Sequence, residues 1–413
     1  MSIKISNVKG TRDLFGEQLE KMHLIEQVAK NLSVRYLFTE LDTPIIEYTE
    51  LFIRNLGETS DVVNKEIYSF QDKSDHNICL RPEFTAAVTR AFVENFQHVQ
   101  SPVRLFSFGP LFRYERPQKG RYRQFHQVNF EWIGSRHYLW TVEAVVLATS
   151  FLREIGIGCE IRINSLGCTR TREEYKLALI EYFLQYKDHL SADSLLRLKK
   201  NPLRILDSKD PSEKEIVLGA PRILDYHTSD ALKEFESICD TLKLLNIKFS
   251  IDHRLVRGLD YYSGLIFECT SPDLGAQDAL LGGGAYEQLS ENLGGKKVQS
   301  VGFAAGIERL IDAMTVWTPA NERIISIVPI GEVAEREALK LLFYLRSEGL
   351  CVDMCYGLGV RSRMKRAEKS AVAVILGEEE LSKKELIVKI METGQQMTVA
   401  HKKLLSTLKE LVC

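Results

Sequence analysis

The chain has 413 residues, 45% hydrophobic and 27% charged, an ordinary globular profile with length for two or three domains. Its net charge of −2 excludes a bulk nucleic-acid coat, so any nucleic-acid contact must come from local basic clusters. The eight cysteines are scattered without C-x-x-C pairs, so free thiols in a reducing cytosol are expected rather than a metal site or disulfides. The stretch Met1–Gly10 is polar, and no apolar run reaches the roughly 20 residues that span a bilayer. A cytoplasmic protein without a membrane partner is expected.

Leu19, Met22, Ile25 and Val28 recur at helical spacing and predict a helix over Glu17–Asn31. Short extended segments follow up to Cys79. Pro82 opens a second periodic segment, Phe84–Phe96, where its missing N–H suits a first helical turn. Val103–Phe108, Leu111–Glu115 and Phe125–Ile133 are aromatic and β-branched. The last two flank a basic loop, which reads as a long antiparallel hairpin. Tyr138–Glu154 is helical and Ile161–Asn164 a strand. Residues from about 171 to 227 are charged and helical, an insertion on the main domain. Phe249–Thr270 and Ala279–Leu281 are extended, and Gly306–Met314 is a helix. A boundary falls near Trp317–Ala320, dividing domains 1–320 and 321–413. Beyond it, strand Ile324–Pro329, helix Ala334–Ser347 and strands Cys351–Met354 and Val372–Leu376 predict a small α/β domain.

Period two places Phe125, Gln127, Asn129 and Glu131 on one face of their strand, with His126, Val128, Phe130 and Trp132 on the other. On the preceding strand Arg113 and Glu115 share a face. A solvated polar face and a binding site are both open readings of this hairpin. Phe125 among charged groups favours a site, because a flat base stacks on such a ring. The loop from Glu115 through Arg121 to Arg123 is basic with aromatic punctuation, and beside a nucleotide face it suits phosphate contact. The run Gly282-Gly283-Gly284 is neither a P-loop nor a dinucleotide fingerprint, and a flexible turn is its commoner meaning. Val301–Leu310 runs from a small-residue strand into a helix carrying Arg309.

Together these segments resemble histidyl-tRNA synthetases, over nearly the whole chain from Lys9-Gly10-Thr11-Arg12-Asp13 to the last helix. Pro44 with Ile45-Ile46-Glu47 resembles motif 1 of class II synthetases. Phe112–Glu115 with Arg121–Gln127 resembles motif 2, and Gly302–Arg309 motif 3. The segments Arg257-Gly258-Leu259-Asp260-Tyr261-Tyr262 and Arg121–Gln127 are similar to the histidine-specific signatures. The resemblance implies an α+β catalytic domain with an antiparallel sheet and a helical insertion, followed by a C-terminal α/β anticodon-binding domain. It implies that Arg113, Arg121, Phe125 and Arg309 bind ATP, with the adenine between Phe125 and Arg309. Glu83, Thr85 and Gln127 would hold the α-ammonium of histidine, Glu131, Tyr261 and Tyr262 would lie near its imidazole, and Arg257 would lie by the carboxylate and α-phosphate. Phe84 stands where the family commonly has Gly. Ala285 and Glu287 stand where it has Arg and Asp, and the change at Ala285 is expected to remove a cation near the substrate pocket.

The implied reaction is attack of the L-histidine carboxylate on the α-phosphorus of ATP, releasing pyrophosphate, then transfer of the histidyl group to tRNA(His). Arg113 and Arg257 would be its catalytic cations, with Mg²⁺ on the phosphates and no metal held by side chains alone. The implied assembly is a homodimer formed through motif 1. A structural ion pair of Arg257 with a neighbour such as Asp260 is the competing reading of that residue. The competing reading of the chain is a non-catalytic, synthetase-like regulatory subunit of histidine biosynthesis. Such paralogues typically lose the C-terminal domain and parts of the motifs retained here.

Overall fold

Apolar residues three to four apart produce the first long helix, Glu17–Arg35, and turn Met22, Ile25, Ala29 and Leu32 inward. It belongs to a computed structural model that describes residues 5–56, 62–100, 102–118, 120–134, 137–271, 279–315, 317, 323–355 and 359–412. The chain divides into two compact units, Met1–Trp317 and Thr318–Cys413. The expected boundary between 320 and 321 lies outside the described residues, as do Lys119 of the basic loop and Cys413. The other cysteines are free.

The first unit is built on an eight-stranded sheet. Its spatial order is Thr39–Glu40, Val103–Phe112, Gln124–Ile133, Ser300–Gly306, Ala279–Tyr286, Tyr262–Thr270, Glu160–Ser165 and Ser250–Ile251. The outermost pairing at each edge is parallel, and all pairings between them are antiparallel. One face is apolar. Val128, Phe130 and Trp132 join Val301, Phe303 and Phe267 in a core with residues of the helices Glu17–Arg35, Leu139–Glu154, Ser229–Leu244 and Ile307–Ala313. That burial decides which way each strand faces, because a one-residue slip would turn every apolar side chain outward. The opposite face carries polar groups and glycines over the middle strands, and at one edge Val103, Leu105, Leu111 and Ile133 pack in a second apolar cluster with Phe84, Val88 and Phe92.

Three expectations change. Val103–Phe112 is one continuous strand that ends at Phe112, so Arg113–Glu115 is not part of the ladder. There the Arg113 N–H donates to the Arg123 carbonyl at 2.9 Å and the Glu115 N–H to the Arg113 carbonyl at 2.8 Å, turning the chain into the basic loop. The glycine triplet is no turn but the middle of the strand Ala279–Tyr286, paired on both sides. Pro82 stands ahead of its helix, which is Thr85–Asn95 with Phe84 as N-cap. The cap bonds come from Glu83, whose carboxylate accepts from the N–H groups of Thr85 at 2.9 Å and Ala86 at 2.7 Å, satisfying donors a helix start leaves open. Phe84 is fully buried with the Arg81 guanidinium 4.5 Å over its ring.

The charged stretch after Ser165 folds into the helices Thr169–Gln185, Ala192–Lys200 and Lys214–Leu218, joined by short 3₁₀ turns. Tyr175, Leu179, Phe183, Leu198 and Ile205 are buried among them. The second unit holds a five-stranded sheet in the order Val352–Met354, Ile325–Pro329, Val372–Leu376, Glu385–Ile390 and Gln396–Ala400. Its first two pairings are parallel and its last two antiparallel. The edge strand buries only Val399 fully, too faint an alternation to mark it in the sequence.

Candidate active site

On the polar face of the large sheet lies a cavity of about 250 Å³, lined by every site residue singled out from the sequence: Glu83, Thr85, Arg113, Arg121, Phe125, Gln127, Glu131, Arg257, Tyr261, Tyr262 and Arg309. Period two delivers Phe125, Gln127 and Glu131 to it from one strand.

Glu131 is buried, and three side chains hold it: Thr85 Oγ1 donates at 2.6 Å, Asn129 Nδ2 at 2.9 Å and Tyr286 Oη at 2.8 Å. Burial nevertheless dominates and pushes the carboxyl up to about 7, because removing a charge from water costs more than neutral donors return. Its place depends on the neighbouring strand. Gly302 is the register partner of Glu131, and a Cβ there would lie 1.8 Å from Glu131 Oε2. Glu83 is likewise raised by burial, against the helix N–H bonds and Arg113. Two carboxylates therefore line the cavity in a state that a donor-rich cationic ligand would stabilise. Tyr261, Tyr262 and Tyr286 are buried phenols raised by desolvation, so they act as neutral hydrogen-bonding groups.

A set of cations lines the same cavity. Arg113 lies 5.3 Å over the Phe125 ring and donates Nε to the Pro82 carbonyl at 2.9 Å. Arg121 reaches Glu115 at 3.4 Å, and Arg309 donates to the Ala279 carbonyl at 3.0 Å. Burial first, then repulsion from Arg121, pulls Arg309 below its ordinary value, with Arg113 adding to the effect. Guanidiniums gathered this closely mark a place where a polyanion gains most.

Arg257 pairs with Glu268 at 2.5 Å. The competing partner, Asp260, instead meets Asn201 at 3.0 Å and Arg204 at 3.4 Å. Burial pulls Arg257 down, and Glu268 with the two tyrosines more than offsets it. The guanidinium lies over Gly282, where a Cβ would come within 2.4 Å of it. A second correction concerns Ala285. It lines a separate cavity with Ser263, Glu234 and Glu287 rather than the site cavity, because it sits one residue out of phase with Gly282, Gly284 and Tyr286. An arginine at this position would start from that separate cavity rather than from the site cavity.

Sequence reasoning assigned no role to Asn129, Tyr286, Glu268 or Glu308. Glu308, at the start of the Ile307–Ala313 helix, accepts the His126 N–H on both oxygens at 3.0 Å. It thereby ties the hairpin to the helix of Arg309. Asn129 was legible as a member of the polar face. Tyr286 shares the parity of Gly282, but the partners of both come from register alone.

With this geometry in place, similarity to known proteins becomes decisive. Residues 10–310 match the family model described as histidyl-tRNA synthetase, and residues 325–411 match that of an anticodon-binding domain. The chain belongs to the histidyl-tRNA synthetase family. It is 87% identical over 413 residues to a histidine–tRNA ligase of Neorickettsia sennetsu, covering all of both chains. It is 46% identical over 398 residues to that of Wolbachia pipientis wMel, covering 95% of this chain and 97% of the relative. The crystal structure of apo S. aureus histidyl-tRNA synthetase superposes with a TM-score of 0.81 at 32% identity, covering 98% of this chain and 100% of that one. A Bacillus halodurans C protein described as an ATP phosphoribosyltransferase regulatory subunit/histidyl-tRNA synthetase shares the fold, with a TM-score of 0.67 at 20% identity over 91% of this chain and 99% of that one.

Proposed function

We propose that this chain is a histidine–tRNA ligase, which activates L-histidine with ATP and charges tRNA(His). The observation that carries the reading is the one cavity combining buried carboxylates Glu83 and Glu131 with the arginines Arg113, Arg121, Arg257 and Arg309. Histidine presents an ammonium and an imidazole N–H to the first group. ATP presents phosphates to the second. Glu83, Thr85 and Gln127 hold the ammonium, and Glu131, Tyr261 and Tyr262 meet the imidazole. Phe125 and Arg309 hold the adenine, and Arg113 and Arg121 the phosphates.

The carboxylate of histidine attacks the α-phosphorus, the bond to the β-phosphate oxygen breaks, and pyrophosphate leaves with its electron pair. Arg257 and Arg113 stabilise the negative charge that gathers on the α-phosphate oxygens. The terminal ribose hydroxyl of tRNA then displaces AMP from the histidyl carbonyl. Among the described residues no group of three metal-ligating side chains is present. Mg²⁺ would arrive on the phosphates of ATP, and Glu115, which lines the cavity and faces Arg121 at 3.4 Å, is the carboxylate that would hold it there. When bound, the ion would supply charge neutralisation at the leaving pyrophosphate.

Residues 325–411 bind the anticodon arm, residues 1–320 form the catalytic domain, and the helices within about 171–227 are its insertion. Among the described residues no helix is long and apolar enough to cross a membrane. Homodimerisation is supported by the strands Ile46–Tyr48 and Tyr68–Gln71, which flank Asn77–Leu80 in a three-stranded sheet and leave Ile46, Tyr48 and Phe70 51%, 60% and 46% exposed, an apolar set that asks for cover. Light scattering should find a dimer at micromolar concentration, and a stable, active monomer would refute this.

The regulatory-subunit reading is disfavoured by Arg113, Arg257 and Arg309 lining one cavity. Pyrophosphate exchange screened over the amino acids is the test. Exchange dependent on histidine, followed by charging of tRNA(His), is the expected result. Folded protein without exchange would return the regulatory reading.

A further inference from the structure

The helices between residues 171 and 227 share one apolar core with Tyr261, Tyr262 and Ile266 of the main domain, and three polar side chains of the segment end on the loop Arg257–Tyr262. Arg204 donates to the Gly258 carbonyl at 2.5 Å and lies 3.4 Å from the Asp260 carboxylate. Asn201 Nδ2 donates to the same Asp260 oxygen at 3.0 Å, while its own Oδ1 accepts the Leu203 N–H at 3.2 Å. At the far end of the loop Arg172 donates to the Tyr262 carbonyl at 2.8 Å. Arg172 makes no ion pair among the described residues, so its guanidinium serves that carbonyl and, at 3.5 Å, the Thr169 hydroxyl.

The loop needs such support. Residues 257–261 belong to no helix or strand, and only at Tyr262 does the ladder begin. The anchors fall on Gly258, Asp260 and Tyr262, alternating along the hexapeptide. Arg257, Gly258, Leu259, Tyr261 and Tyr262 line the site cavity. Behind the loop lies a second cavity of about 350 Å³, to which Arg172, Asn201 and Arg204 contribute together with Arg257 and Tyr262. The same loop is thus one wall of both.

We propose that Arg172, Asn201 and Arg204 are positioning residues: the helical segment grips the Arg257–Tyr262 loop from behind and sets where the Arg257 guanidinium and the two tyrosine rings stand. This rests on the reading that the loop faces histidine and the α-phosphate. It gives the segment a part in amino-acid activation itself, before any tRNA is bound. Whatever displaces the segment acts on the reaction through these three side chains.

The test uses the full chain in histidine-dependent pyrophosphate exchange, with KM for histidine and for ATP, kcat, and a thermal melt of each variant. Asn201→Asp keeps the cap on Leu203, because a carboxylate oxygen accepts the same N–H, but sets two carboxylates against each other at Asp260. Its histidine KM should rise by about tenfold, short of the roughly 10²-fold that a 1 Å misplacement can cost, with ATP KM and Tm nearly unchanged. The double variant Asn201→Asp, Asp260→Asn restores an amide–carboxylate pair with the roles exchanged and should recover much of the loss. Arg204→Ala should behave like Asn201→Asp, and Arg204→Lys should recover in part, since one ammonium cannot span the carbonyl and the carboxylate as a planar fork does. If Asn201→Asp melts below the assay temperature, Arg204→Lys carries the same readout. A lowered Tm with unchanged kinetic constants in the folded protein would overturn the proposal and leave these contacts as structural support. Arg257→Ala separates the two layers. If it activates histidine normally, the reading of the loop fails. If it collapses while Asn201→Asp and Arg204→Ala stay normal, only the grip fails.

Discussion

Two strands of the large sheet flank Ser300–Gly306 and build the site in opposite ways. Gln124–Ile133 supplies groups: Phe125, Gln127 and Glu131 reach the cavity from one face. Ala279–Tyr286 supplies room: Gly282 leaves space for the Arg257 guanidinium, while Tyr286 at one end donates to Glu131 and the Ala279 carbonyl at the other accepts from Arg309. The strand between them is of the second kind, with Gly302 beneath the Glu131 carboxylate. A buried charged group needs a partner and a vacancy, and the two come from different strands. Positions that lack a side chain are therefore as much part of this site as those that bear one.

The largest effect should come from the group that the vacancy at Gly282 accommodates. Arg257→Ala is expected to fold and yet lose about 10²–10³ in the rate of histidyl-adenylate formation, the usual cost of one transition-state donor. Single-turnover adenylate assays check it, and a near-normal rate would return Arg257 to its ion pair with Glu268.

The vacancies themselves come next. Gly282→Ala drives a methyl group into the guanidinium and should lower kcat, whereas Gly302→Ala displaces Glu131 and should chiefly raise the histidine KM, each by up to about 10²-fold. The contrast between the two is what steady-state kinetics should resolve. Equal effects on both constants from both variants would mean that the glycines only keep the sheet together.

Glu131 makes a pH prediction of moderate size. Its carboxyl is raised from an ordinary 4.5 to about 7 in the folded protein, so across that window the folded state holds more protons than the unfolded one. Stability is then fully present below the ordinary value and is lost as pH rises through about 7. Thermal melts of the ligand-free protein should fall with pH in this window. Glu131→Gln should flatten the slope in part, since Glu83 is raised by the same cause. An unchanged slope would show that Glu131 is ionised throughout.

The smallest effect is expected on the far side of the glycine strand. Ala285→Arg points into the other cavity and should alter the histidine KM by no more than about twofold, as for substitutions clear of the working groups. A larger change would show that the two cavities communicate through the strand.

Much of this site was legible before any coordinates. Period two in Phe125–Glu131 sorted groups by face because the apolar alternation of Val128, Phe130 and Trp132 leaves a strand one stable orientation. The helices Glu17–Arg35 and Leu139–Glu154 announced themselves by apolar spacing while Ser229–Leu244 did not, and the resemblance of Arg257–Tyr262 and Arg121–Gln127 drew distant segments toward one cavity. Legibility failed where meaning depends on what lies opposite. A glycine run looks the same in a turn and in a strand interior, and Arg257 could not choose between Asp260 and Glu268 from sequence distance.

The sequence by itself determined several helices and strands, the faces of the hairpin and the family, since these depend on residues a few positions apart or on motifs read in order. The tertiary structure alone decided that Gly302 and Gly282 are vacancies for Glu131 and Arg257, that Glu308 ties His126 to the helix of Arg309, and that Asn201 and Arg204 hold Asp260. Each is a pairing across tens to hundreds of residues. It is set by strand register and by the burial of charge, quantities that exist only once the chain has closed on itself.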